Sequence, residues 1–163
     1  MQAEFDRDAQ AELNNARLAV IAEHGRCERV EDWDGVLATM IDEPCYVFYP
    51  NRLRARGAVA IKEWWRRTHW LRDDPDIRRR AIGKEPFFND EGVALMSIID
   101  HTVPHERGES EPERLFLTVL AIFRFDGLKI ASESAFFDRK ASPHLDTVLE
   151  SQEFLATPGV ERF

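Results

Sequence analysis

The sequence predicts an α+β fold, a curved and mostly antiparallel sheet wrapped around one hollow by helices from the first half of the chain. Three long strand-like runs, 93–103, 114–125 and 128–137, follow one another through short turns. Ahead of them lies a tryptophan-rich helical pattern over 59–71. Helices first and then a long meander means one sheet folded over one core. The 163 residues suit a single domain, 1–163, with a core over about 9–140 and a tail over 141–163.

The elements follow in order. Ala9, Leu13, Ala16, Val20 and Ile21 form one helical stripe over 9–24, and Gly25 stands where a helix cap is expected. A short helix is expected over 30–40, with Trp33, Val36, Leu37 and Met40 apolar. Residues 45–49 are a β-rich run ended by Pro50 and Asn51, and 51–57 read as a loop ending at Gly57. Over 58–71, Ile61, Trp64, Trp65, Thr68 and Leu71 share one helical face, and Pro75 closes the region. A strand over 77–87 leads into the turn Asn89-Asp90-Glu91-Gly92. The strand 93–103, a polar loop over 104–112 and the strand 114–125 come next. Asp126-Gly127 is a tight hairpin signal before 128–137. The tail shows one helical pattern, 145–155, then Pro158-Gly159.

Composition excludes several partner classes. The net charge of −8 argues against nucleic acid, which needs clustered Lys and Arg; Arg78-Arg79-Arg80 is too short to reverse this. Cys27 and Cys45 give neither a disulfide framework nor metal spacing; Cys45 reads as a small core residue and Cys27 as an exposed thiol in a polar loop. No stretch approaches a membrane span and the N-terminus is not signal-like, so a soluble cytoplasmic protein is expected. The run 114–125 is apolar on both faces, whereas a half-solvated strand alternates. One face is expected to pack on the helices and the other on a second subunit, as a two-fold homodimer through the sheet; the alternative cover is the C-terminal tail.

Several stretches carry a resemblance: Trp33-Asp34-Gly35-Val36-Leu37-Ala38, Arg56-Gly57-Ala58-Val59-Ala60-Ile61, and Phe125-Asp126-Gly127-Leu128-Lys129-Ile130 followed by Phe136-Phe137-Asp138. In this order and spacing they resemble the SnoaL-like branch of the nuclear transport factor 2-like superfamily, over about 9–140. The resemblance implies a cone-shaped, cystatin-like α+β roll wrapped by three helices. It leaves the activity open, since one fold hosts many. The two acids of ketosteroid isomerase fall at Tyr49 and near Ala121, so that mechanism does not carry over. Of the limonene epoxide hydrolase triad, only the aspartate at Asp100 survives, in Ile98-Ile99-Asp100; its last aspartate falls near Ala135. The paired histidines of scytalone dehydratase have no clear counterparts, and the arginine-rich strand of the dioxygenase small subunits is not seen.

That alignment implies that Asp100 faces the cavity, with Met96 and Ile98 by strand alternation. In the last strand Ala131, Glu133, Ala135 and Phe137 would face it too. Two carboxylates, Asp100 and Glu133, would then share an apolar hollow with Ala121, where desolvation and repulsion hold one of them poised for proton transfer. A shift of one residue in register turns both into surface charges. His101 points opposite to Asp100, so one of the two faces the cavity and the other does not. His69 could reach the cavity mouth or be solvated. Tyr46 and Tyr49 on the first strand could polarise a carbonyl or simply pack in the core, and Trp64 and Trp65 could wall a planar ligand or fill the wide end. No metal site is expected: His101, His105 and Glu106 run from strand into loop, and His24 and His144 lack partners in sequence. No phosphate loop, nucleophile elbow or cofactor fingerprint is present, and no cofactor is expected.

The expected function is therefore a cofactor-independent enzyme of the isomerase, dehydratase or cyclase type acting on a hydrophobic small molecule. Asp100 is the preferred acid/base, with Glu133, Tyr49 and His101 as further catalytic candidates. The alternative is a non-catalytic ligand-binding or accessory subunit.

Overall fold

The computed structural model describes residues 2–49, 51–68, 80–103, 113–137 and 142–163, and the side chains of 7–49, 51–68, 86–96, 118–137 and 145–163. The elements are α1 (Gln2–Arg29), α2 (Trp33–Ala38), β1 (Met40–Tyr49), β2 (Leu53–Arg56), α3 (Gly57–Thr68), β3 (Arg80–Asn89), β4 (Gly92–Val103), β5 (Glu113–Asp126), β6 (Lys129–Phe137), α4 (Ser142–Leu149), α5 (Gln152–Leu155) and β7 (Val160–Arg162). They form the expected α+β fold on one sheet of order β3-β4-β5-β6-β1-β2-β7. All neighbours are antiparallel except β1 and β6, which run parallel.

Several boundaries differ from the sequence reading. Gly25 does not cap α1, which continues to Arg29. Cys27, expected as an exposed thiol, is buried on that continued turn. Met40 opens β1 instead of closing a helix. The expected loop 51–57 contains β2, where Leu53 and Ala55 are fully buried and Arg54 and Arg56 point outward, a strand of period two. The end of the 58–71 helix at Leu71, Pro75 and the loop 104–112 lie outside the described residues.

Strand register sorts the side chains into two faces. On the helix side, Val93, Phe123, Glu133 and Tyr46 stand opposite one another across four strands. The next row on that side is Leu95, Ala121, Ala135 and Phe48. Against these rows α3 places Ala60, Ile61, Trp64, Trp65 and Thr68, all buried, as its spacing predicts. On the other face runs Met96, Leu120, Phe136 and Tyr49, where the Tyr49 and Phe136 rings stack with centroids 4.4 Å apart.

The tail is part of the core. α4 and α5 bury Leu145, Val148, Leu149 and Phe154, and Phe154 sits edge-on to Phe48 and tilted against Trp64. β7 pairs with β2 and forms that edge of the sheet, and Asn51 Nδ2 donates to Asp146 Oδ1 at 2.7 Å. The tail thus packs on the helix side, and of its rings Phe163 reaches Tyr49 on the outer face. The turn into β7 depends on Gly159, whose φ is +89° and where a Cβ would lie 2.3 Å from the Arg56 carbonyl oxygen. Gly159→Ala should therefore cost about 1–3 kcal/mol through strain and loss of the β7 pairing. A urea midpoint equal to wild type would contradict this.

Candidate functional site

The face of α1 that meets the sheet is unusually polar. Arg17, Ile21, His24 and Cys27 are buried at helical spacing, and Glu28 follows His24 by one turn. Polar groups taken from water need partners. His24, only 2% exposed, finds them at the C-cap of α2, on β1 and β6, and one turn on along α1 itself.

Its Nδ1 lies 2.6 Å from Thr39 Oγ1. The Thr39 hydroxyl already donates its hydrogen to the Val36 carbonyl at 2.6 Å, so its oxygen accepts and His24 Nδ1 carries the proton. That leaves Nε2 as the variable atom. It lies 2.9 Å from the Tyr46 hydroxyl, 3.1 Å from Glu28 Oε1 and 3.8 Å from Glu133 Oε2. Burial works against a charged imidazole here, but the hydrogen bond and charge of Glu28, helped by Glu133, outweigh it and raise the His24 pKa above the usual 6.5.

Tyr46 is the centre of the same cluster. Burial, reinforced by the charges of Glu133 and Glu28, holds its pKa well above the usual 10, so it remains a phenol. The Glu133 carboxylate lies beside its hydroxyl, and the Trp65 ring stands edge-on to the Tyr46 ring with centroids 6.0 Å apart. Trp65 stacks on Trp33 with centroids 5.6 Å apart, and Phe123 meets the imidazole edge-on at 6.4 Å. The result is a chain Thr39–His24–Tyr46–Glu133, flanked by Glu28 and walled by aromatic rings. Glu28 keeps 24% of its side chain exposed, so the chain opens to solvent at Glu28, whereas the Glu133 Oε2 that faces His24 is buried.

Comparison with known proteins identifies this architecture. No family sequence model and no curated protein sequence matches the chain. Solved structures do. One is a nuclear transport factor 2-like protein from Burkholderia xenovorans LB400, at 12% identity and TM-score 0.61 over 81% of this chain and 96% of that one. The fold is that of the nuclear transport factor 2-like proteins. A protein assigned to the SnoaL-like polyketide cyclases from Shewanella denitrificans OS-217 matches at 9% identity and TM-score 0.60, over 81% of this chain and 97% of that one. TerC, crystallised with polyporic acid, matches at 16% identity and TM-score 0.61, over 80% and 97% of the two chains.

Within this nuclear transport factor 2-like sheet the expected site residues separate. Glu133 and Tyr46 come together beside His24, with Trp65 against them. Ala121 lies on the same face, partly buried, and Phe137 shares the face of Glu133 by alternation. Trp64 belongs to the core, between Phe48 and Phe154. Tyr49 is corrected to the outer face, stacked on Phe136 and away from the cluster. Met96 is likewise corrected to the outer face, 38% exposed and opposite Leu120. The ladder from Gly92 to Val103 is unbroken opposite β5, so Ile98 and Asp100 share the register parity of Met96, and His101 that of Leu95. The side chains of Ile98, Asp100 and His101, and His69 entirely, lie outside the described residues.

His24, Glu28 and Thr39 are the site residues that sequence reasoning missed. The one available signal was the spacing of four between His24 and Glu28.

Proposed function

We propose that the protein is a small-molecule enzyme that moves protons on an apolar substrate, of the isomerase, dehydratase or cyclase type. The observation that carries this is the convergence of Glu133, Tyr46 and His24 on one aromatic-walled patch of the helix-side face. Glu133 takes a proton from a carbon beside a carbonyl. The Tyr46 phenol donates a hydrogen bond to the oxygen on which charge develops. His24, held by Thr39 and kept charged by Glu28, gives its Nε2 proton to the substrate, and the proton taken by Glu133 then passes through the Tyr46 hydroxyl to His24, restoring both groups. Asp100, the acid/base expected from sequence, has no part in this reading. The nuclear transport factor 2-like neighbours assigned as polyketide cyclases, and the polyporic acid in TerC, support an aromatic or quinonoid carbonyl compound as the substrate class.

The test uses protein freed of metal by a chelator, aryl ketones and hydroxyquinones as probes, and deuterium uptake from heavy water as the readout. Glu133→Gln should slow exchange by about 10²–10⁴-fold. A catalysed exchange that survives this change unaltered would remove the reading. Binding of polyporic acid with no exchange in any variant would favour the accessory-subunit alternative.

The same reading includes a two-fold dimer. The apolar row Met96, Leu120, Phe136 and Tyr49, extended by Phe87 at 56% exposure, offers a self-complementary outer face. A sedimentation mass of one chain at micromolar concentration would exclude it. Among the described residues no helix is long and apolar enough to cross a membrane.

A further inference from the structure

We propose that His24, Glu28 and Glu133 form a binding site for a divalent first-row transition-metal ion. Each residue presents one ligand atom, and the three atoms lie within 4.8 Å of one another. Two separations are 3.1 Å and 3.8 Å, from His24 Nε2 to Glu28 Oε1 and to Glu133 Oε2. Donors held about 2.0–2.2 Å from a common ion stand roughly 3–4 Å apart, so two of the three edges already fit. The ligands come from a helical turn and a facing strand, which fixes two of them rigidly to one element.

The second support lies outside the three ligands. Thr39 accepts the Nδ1 hydrogen, and its own hydrogen is tied to Val36. In the neutral ring this leaves the Nε2 lone pair able to ligate, with the Tyr46 hydroxyl at 2.9 Å and the two carboxylate oxygens at 3.1 Å and 3.8 Å around it. Metal-bound imidazoles are oriented by the same kind of contact at their other nitrogen. Charge agrees with the geometry: two carboxylates carry two negative charges, and a divalent ion on a neutral imidazole balances both, which a proton does not. One nitrogen with two carboxylates is a borderline donor set that suits zinc, iron or manganese better than calcium or magnesium. The partly exposed Glu28 gives the ion an approach, while Glu133 Oε2 is buried on the inner side of the site.

The ion takes the place of the proton at Nε2. The site therefore has a proton-loaded and a metal-loaded form, and it stands whether or not the protein catalyses proton transfer. Tag-free protein, stripped with a chelator, is titrated with zinc and manganese by calorimetry, and with cobalt by visible absorption. One ion per chain is expected, with micromolar or tighter affinity and zinc ahead of manganese. His24→Ala and Glu133→Gln should each weaken zinc at least about tenfold. Thr39→Val, which touches no ion, should weaken it by about 10–100-fold through loss of the Nδ1 contact. Absence of saturable binding overturns the proposal, as does unchanged affinity in either ligand variant. Should His24→Ala fail to fold, Glu133→Gln decides alone. Because the readout is binding, a failure here is distinct from a failure of the exchange assay.

Discussion

Phe154→Ala should lower the free energy of unfolding by about 3–5 kcal/mol, the range for removing a fully buried aromatic ring. The side chain is completely buried, with its ring 6.1 Å from that of Trp64 and 6.5 Å from that of Phe48. Its helix is one turn long and held by the Ser151 cap, so it has little stability of its own to lose. The loss would therefore report the cavity left between β1 and α3. Around it, Leu149 is fully buried and Val148 nearly so, which limits how far the tail can collapse into the gap. Denaturant unfolding of the variant measures this. A shift under about 1 kcal/mol would mean that the tail rests on the core without completing it.

His24→Ala should cost a comparable amount, about 3 kcal/mol, and the cost should depend on pH. Removing one member of a buried charged group leaves the others uncompensated. Here Glu28, Glu133 and the Tyr46 hydroxyl would lose the imidazole that lies within 3.8 Å of each of them. The folded-state pKa of His24 is raised above its unfolded value, because the Glu28 and Glu133 carboxylates outweigh desolvation. A raised pKa contributes stability that is complete below the unfolded value near 6.5 and disappears as pH rises through the folded value. The gap between wild type and His24→Ala should thus be widest at mildly acidic pH and narrow toward alkaline pH. Urea midpoints in the presence of chelator, taken on both sides of neutrality, measure it. A gap that widens with pH would show that the ring is buried neutral.

The two faces of the sheet were legible in some strands and hidden in others for a physical reason. In β6, the inward assignment of Glu133, Ala135 and Phe137 follows from the family aspartate that falls near Ala135, extended by strand alternation, and the ladder sets these three on the helix side. In β4, Leu95, Met96, Ile98 and Ile99 are apolar on both faces, so alternation carries no phase. The phase was instead taken from an aspartate motif, and it is one residue out at Met96. β2 was hidden by its shortness: four residues with two arginines read as a loop, although Leu53 and Ala55 alternate with them.

The site was hidden for a different reason. A histidine at the end of the apolar stripe of α1 shows no partner in sequence beyond the glutamate one turn later, a spacing that solvated helix faces also carry. Only the parallel pairing of β1 with β6, in which Tyr46 stands opposite Glu133, shows that this helical face is covered. Local spacing does not encode a contact made by strands so far apart in sequence. Cys27 was misplaced by the same logic, since its burial follows from the continuation of α1 past Gly25.

That parallel pairing also bears on how the molecule is made. As the chain leaves the ribosome, β1 and α3 emerge long before β6, the strand that β1 must join. Until then Phe48 lacks its strand neighbour Ala135, and the imidazole of His24 has no acid from the far strand. Closing so wide a loop is slow and must precede the contacts that reward it. The nascent first half should therefore wait in a sticky, chaperone-dependent condition, and maturation of the polar cluster should coincide with the final, cooperative step of folding.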